Sequence, residues 1–307
     1  MKIALIGQSA FGKAVLEAIL DEGADTVSGV FCPPDRAGEP PDPVKEAARA
    51  AGIPCFQFKR MRSAEAVAQS RALGADLGVM AFVTDIVPVD MLNAPRLGTV
   101  QYHPSLLPKH RGPNSINWPI IFGEKRTGLT VFWPDAGLDT GPVLLQKSVE
   151  IGPDDTLGTL YFNRLFPMGV EAVTEAVRLV REGRAPRIPQ DESQATYEGW
   201  CKDKDAEIDW SKPAQQVYDL IRGCNPRPGG FTVRDGSQLR IFDAELRPGD
   251  TGALPGTVVA VSPAGFEVAA ADGRILVKRV QPAGGKKVAA GEYAAAAGLK
   301  TGTRFGA

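Results

Sequence analysis

The sequence predicts an α/β chain of two domains, a mostly parallel sheet covered by helices and then a small β-barrel. Three observations lead there. Short β-forming runs alternate with segments whose apolar residues fall at helical spacing through the first part of the chain. Past about residue 204 the pattern changes to short, regularly spaced β-like runs with glycine turns. A length of 307 residues with 43% hydrophobic and 23% charged content is nearer two domains than one, and we divide it at 1–203 and 204–307.

Taken in order, Lys2 to Ile6 is a β-forming run, Gly7 to Gly12 supplies turn residues, and Phe11 to Leu20 is helical. The unit then repeats: strand at Thr26 to Phe31, helix at Pro43 to Ala51, strand at Ile53 to Phe56, helix at Ala64 to Leu73, strand at Leu77 to Phe82. Such alternation implies parallel strands with helices on both faces. The next strand, Gly98 to Tyr102, delivers its carboxyl end into His103-Pro104-Ser105-Leu106-Leu107-Pro108. A short helix opens around Asn114 and closes over Pro119 to Phe122; strands at Gly128 to Trp133 and Pro142 to Val149 flank the loop Pro134 to Gly141. Thr156 to Glu182 reads as one long helix, kinked near Pro167 and stopped at Gly183. From Arg184 to Asp205 proline and charge indicate a surface linker. A helix near Ala214 to Ile221 precedes β runs at Phe231 to Val233, Leu239 to Phe242, Gly256 to Val261, Gly265 to Ala269 and Ile275 to Val280.

A formal net charge of −1 provides no general attraction for nucleic-acid phosphates or anionic lipid, so a small substrate is the easier expectation. Cys32, Cys55, Cys201 and Cys224 are scattered, which fits a reduced compartment. The N-terminal apolar run is too short for a signal peptide and no later run has membrane-spanning length, so a cytoplasmic location is expected. His103 and His110 are the only histidines and neither pairs with cysteine at zinc-finger spacing, so no metal is expected.

The turn Gly7-Gln8-Ser9-Ala10-Phe11-Gly12 has Ser9 where a dinucleotide fingerprint needs glycine, and its plainer reading is a turn that lets strand and helix pack. His103 stands where a strand ends, in the zone where open α/β sheets bind ligands. Its imidazole can shuttle a proton near neutral pH, and the amide of Gln101 can donate to a developing oxyanion. From the residues alone, His103 is equally an ordinary hydrogen-bonded histidine, and Asp139 equally a turn or helix-cap aspartate. His110, between Lys109 and Arg111, reads as structural or solvated; Asp135 carries the weaker signal of the two loop carboxylates.

The run HPSLLPKHRG, the SINW that follows it and the later GLDTG resemble the folate-dependent formyltransferases. The likeness extends from MKIALIGQSAFG to ATYEG and EIDW, and is strongest toward the hydrolase domain of 10-formyltetrahydrofolate dehydrogenase. It implies a Rossmann-like formyl-transfer domain followed by an OB-like barrel, with 10-formyltetrahydrofolate as co-substrate. It also implies that the catalytic histidine is His103 and the catalytic aspartate Asp139. Pterin recognition is then expected from the backbone of Thr84, Asp85, Ile86 and Val87 and from the Asp135 to Asp139 loop. Most transferases of the family carry asparagine two residues before the histidine; here Gln101 adds one methylene, shifting its amide by roughly 1.5 Å on an unchanged backbone. The hydrolase domain likewise lacks that asparagine.

The expected chemistry is acyl transfer: a nucleophile attacks the formyl carbon and N10 of the folate leaves with a proton, His103 and Asp139 moving the protons. An amine as nucleophile makes a formyltransferase; water makes a 10-formyltetrahydrofolate hydrolase. The loop Pro33 to Pro43 has one basic residue against three acidic ones, which argues against a tRNA acceptor. Two further classes are a non-catalytic folate-binding module and a nicotinamide oxidoreductase, the latter resting only on the Rossmann-like alternation.

Overall fold

The computed structural model describes residues 1–249 and 251–306. They cluster into two units, one made of 1–112, 128–149 and 163–197 and the other of 113–127, 150–162 and 198–307. In the first unit β1 (Lys2–Gly7), β2 (Thr26–Cys32), β3 (Cys55–Gln57), β4 (Leu77–Ala81), β5 (Thr99–His103), β6 (Arg126–Phe132) and β7 (Val143–Glu150) form one sheet in the order β3-β2-β1-β4-β5-β6-β7. Strands β1 to β5 pair in parallel and β6 runs antiparallel to β5. The mostly parallel sheet read from the sequence is thus present.

Side-chain alternation along the strands sorts the core into two layers. Ile3 and Leu5 of β1 face α1 (Ser9–Glu22) and α2 (Pro43–Ala50), in a cluster that also takes Val173 and Val177. Ala4 and Ile6 face the other way, against Met61, Met91 and Leu92, where α3 (Ala64–Ala72) and the one-turn α4 (Val89–Leu92) cover the sheet. Local chemistry sets the helix starts: the Asp42 carboxylate accepts from Val44 N–H ahead of Pro43, and the Ser63 hydroxyl accepts from Ala66 N–H. At the first turn a Cβ on Gly7 would stand 2.8 Å from the Ala81 carbonyl oxygen, so this glycine serves close packing of β1 on β4.

The helix expected over Thr156 to Glu182 is interrupted. After α5 (Asn117–Ile121), α6 (Leu157–Leu160) gives way to a π turn at Tyr161–Leu165, and α7 (Phe166–Arg181) begins with Pro167 in its first turn. The interruption is a π turn just before the proline, whose missing N–H is harmless at a helix start.

The second unit is antiparallel and β-rich behind α8 (Ala214–Gly223). Its strands are β8 (Gly230–Arg234), β9 (Ser237–Ile241), β10 (Ala244–Pro248), β11 (Val258–Ser262), β12 (Gly265–Ala269), β13 (Gly273–Val277), β14 (Arg279–Pro282) and β15 (Val288–Ala289), followed by α9 (Ala290–Ala296). They form two four-stranded sheets, β10-β13-β12-β11 and β15-β14-β9-β8. The run read as one strand, Ile275 to Val280, is split between them: Val277 pairs with Ala244 and Val280 with Ile241. The carbonyl of Asp243 accepts from both Lys278 and Arg279 N–H, which breaks both ladders at the same level and passes the chain from one sheet to the other.

Candidate active site

Strand β5 divides its residues between the two layers. Val100 and Tyr102 enter the cluster shared with α1 and α7, the Tyr102 ring 4.4 Å from that of Phe11. Gln101 and His103 therefore project from the opposite face. Register brings the strand exits together: Gly7 stands opposite Ala81 and Met80 opposite Gln101, so β1, β4 and β5 end along one sheet edge. The loop Thr84 to Val87 leaves from the same edge as His103, the usual place for ligands in such sheets.

His103 and Asp139 meet there. His103 Nδ1 lies 3.6 Å from Asp139 Oδ2, and each side chain is only 8% exposed. The other ring nitrogen, Nε2, is 2.9 Å from the carbonyl oxygen of His110. A carbonyl only accepts, so Nε2 holds a proton and donates it. Nδ1 is then the nitrogen free to take up and release a proton, and it is the one facing the carboxylate. Asp139 Oδ2 also accepts from Gly112 N–H at 2.8 Å. Asp139 has φ +56°, an uncommon conformation outside glycine, as does His110 at φ +57°. The turn is tightly drawn: a Cβ on Gly141 would stand 1.8 Å from the Trp133 carbonyl oxygen.

The remaining expected residues surround this pair. Gln101 is half-buried and its side-chain amide makes no hydrogen bond to the described residues. The Thr84 hydroxyl lies 3.4 Å from Gln8 Oε1, tying the exits of β4 and β1. Asp85 uses its carboxylate inward, accepting from Met61 and Ile86 N–H at 2.8 and 3.0 Å. Val87 packs against the apolar layer below while Ile86 stands exposed, as do Phe82 and Leu138. Asp135 accepts from Gly137 N–H at 2.9 Å and the Thr140 hydroxyl at 2.5 Å, shaping the loop that carries Asp139. Among the described residues no group of three His, Cys, Asp or Glu side chains is placed to hold a metal ion, and no helix is long and apolar enough to cross a membrane.

Sequence reading missed a second ring of residues. Arg111, fully buried, donates from both terminal nitrogens to Glu192 (2.8 and 2.6 Å), from Nε and Nη2 to Gln190 Oε1 (3.2 and 2.8 Å), and to the Tyr197 hydroxyl at 2.5 Å. Glu192 and Tyr197 raise the guanidinium above its ordinary range against the opposing effect of burial, and Arg111 holds the Glu192 carboxyl below the usual range. Gln190 Nε2 donates to the carbonyls of Asp139 and Gly141 at 2.8 and 2.7 Å. Thr196 accepts from His110 N–H through its hydroxyl and from Arg111 N–H through its carbonyl. The stretch expected to be a plain surface linker thus binds both loops that carry the pair. Its partners lie about 50 to 86 residues away in sequence, beyond any local signal.

A family model described as "Formyl transferase" matches residues 1–177, and one described as "Formyl transferase, C-terminal domain" matches residues 201–298. The chain is 44% identical over 307 residues to the cytosolic 10-formyltetrahydrofolate dehydrogenase of Mus musculus, covering 95% of this chain and 34% of that protein. It therefore spans about a third of the length of such relatives. With the methionyl-tRNA formyltransferase of Symbiobacterium thermophilum it shares 42% identity over 311 residues, covering 99% of this chain and 95% of that one. A solved N-formyltransferase from Helicobacter canadensis, in complex with folinic acid and dTDP-3-aminofucose, has the same fold at a TM-score of 0.67 and 18% identity, over 90% of this chain and 98% of that one.

Proposed function

The chain belongs to the formyl transferase family, and on that premise we propose that it takes the formyl group from 10-formyltetrahydrofolate and passes it to an amine. The observation that carries this reading is the buried meeting of His103 Nδ1 and Asp139 Oδ2 at the sheet edge where β4 and β5 end. The catalytic work is assigned to residues 1–203, with 204–307 as the C-terminal domain.

In this reading the amine nitrogen bonds to the formyl carbon, the carbonyl electrons move onto oxygen, and on collapse the bond to N10 breaks. Asp139 and His103 Nδ1 accept the proton the amine loses and return one to N10. Nε2 stays bonded to the His110 carbonyl and fixes the ring plane. Gln101, on the same face of β5 as His103, has its amide N–H available for the oxyanion. Folate is held by the backbone of Thr84 to Val87 and by the Asp135 to Asp139 loop, with exposed Phe82, Ile86 and Leu138 as apolar surface for a pteridine. Proton transfer of this kind accounts for roughly 10²–10⁴-fold of rate.

A second reading, hydrolysis to formate and tetrahydrofolate, is favoured by Gln101 at the position where transferases of the resemblance carry asparagine, and by the 44% identity to the dehydrogenase. Among acceptors, tRNA has the support of the relative matched along nearly its whole length. Against it stands the loop Pro33 to Pro43, where Lys45 takes up Asp35 and Arg36 pairs with Glu39. A cytoplasmic location belongs to the same proposal and is supported by the four free cysteines. Following tetrahydrofolate formation with and without a panel of amines, formylatable tRNA included, separates the readings. Acceptor-dependent turnover supports transfer, acceptor-independent turnover supports hydrolysis, and saturable folate binding without turnover overturns both.

A further inference from the structure

We propose that Gln190 is the positioning residue that sets Asp139 against His103; this rests on the reading of that pair as the reacting groups. Asp139 sits at φ +56°, a backbone conformation that persists in a non-glycine residue only when its surroundings hold it. Besides the Gly112 N–H bond to its carboxylate, what holds its backbone is one side-chain amide. Gln190 Nε2 donates to the carbonyl of Asp139 itself, at 2.8 Å, and to that of Gly141, at 2.7 Å, gripping the turn on both sides of Thr140. Gln190 Oε1, at the other end of the same group, accepts from Nε and Nη2 of Arg111.

The two ends of the amide join the two halves of the site. Arg111 follows His110 directly, and the His110 carbonyl is the group that orients His103 through Nε2. Arg111 is in turn fixed by Glu192 and Tyr197. Side chain and backbone therefore connect His103, His110, Arg111, Gln190 and Asp139 in a closed circuit. Only an amide satisfies the middle position, since it must donate to two carbonyls and accept from a guanidinium. The gap it controls is critical: 3.6 Å between Nδ1 and Oδ2 is longer than a normal hydrogen bond, so a displacement of the turn by a fraction of an ångström decides whether a proton passes between them.

Gln190→Met keeps the length of the side chain and removes both hydrogen-bonding ends; Gln190→Glu keeps the Arg111 partner but turns a carboxylate oxygen toward two carbonyls. Each is expected to lower kcat by roughly 10- to 100-fold, the scale of an ångström misplacement, with the dissociation constant for 5-formyltetrahydrofolate changing less than about threefold. Because Gln190 acts through Asp139, the pair Gln190→Met with Asp139→Asn is expected to be no slower than Asp139→Asn alone. Additive losses, or a kcat within twofold of the parent for both Gln190 variants, would overturn the proposal. A second readout needs no turnover: with only two histidines in the chain, nitrogen NMR resolves each imidazole, and Gln190→Met should displace the His103 Nδ1 resonance in the same direction as Asp139→Asn. An unmoved resonance contradicts the positioning role. A parent protein that releases no formyl group contradicts the reaction instead and leaves the NMR comparison to judge Gln190.

Discussion

Among the described residues two arginines are buried to 3% exposure or less, one in each unit, and they are held in opposite ways. Arg222 pairs with Asp219 three residues earlier on α8, at 2.7 Å, with both side chains out of water, and its Nη1 reaches the carbonyls of Gly152 and Asp155. Arg111 is bonded to Glu192, whose side chain is 66% exposed, and to Gln190 and Tyr197 on a strap far along the chain. The first is a closed pair that fixes a core. The second anchors the loop after β5 to a strap whose Glu192 faces solvent, and the candidate catalytic groups are attached to both. Burial of an ion pair by itself therefore does not mark a functional site; what matters is which backbone the pair restrains.

The contrast predicts separable losses. The largest is expected at the site: Asp139→Asn lowers turnover by roughly 10²–10⁴-fold with little change in the melting temperature, measured by steady-state kinetics beside thermal unfolding. Next, Asp219→Ala leaves the Arg222 guanidinium buried without its carboxylate and costs about 3–5 kcal/mol of stability. Denaturant unfolding should show that loss, while turnover per folded molecule stays near the parent value; an Asp219 variant that is stable but slow would erase the distinction between the two arginines. Gln101→Leu removes a potential oxyanion donor and is expected to slow turnover on the order of 10²-fold, toward the lower end for such donors, with folate binding unchanged.

The smallest effect is a pH dependence. Arg111 lowers the Glu192 carboxyl in the folded protein, so its contribution to stability is complete above the unfolded-state value of roughly 4.3 and disappears as pH falls through the lower folded value. Glu192→Gln should therefore melt below the parent at pH 7 and approach it near pH 3, as followed by calorimetry. A difference that persists unchanged at pH 3 contradicts the assigned charge interaction.

Much of this was legible in the sequence, for identifiable reasons. The period of the apolar residues reports the parallel strands and their helices directly, and the position of His103 at a strand end points to the edge proposed as functional. Asp139 was singled out only through the resemblance carried by GLDTG; by its own residue type and neighbours it read equally as a turn or cap aspartate. The strap was not: Gln190 and Glu192 look like ordinary surface polar residues, and their role exists only once the chain has brought them to Arg111. The handover between the two C-terminal sheets was hidden for a related reason, since one backbone carbonyl, that of Asp243, breaks a run whose side chains read as continuous. Strand β10 escaped notice because Glu245 and Arg247 interrupt its apolar pattern.

On the proposed function, His103 and Asp139 move a formyl group off a reduced folate. Supplying 10-formyltetrahydrofolate with an isotopic label in the formyl carbon, and finding where the label goes, checks this. The parent protein is expected to deliver the label to an amine or to formate, and His103→Ala to slow the delivery by at least about 100-fold. Label that remains on the folate with the parent protein, or leaves it at the parent rate with His103→Ala, would remove His103 and Asp139 from the chemistry.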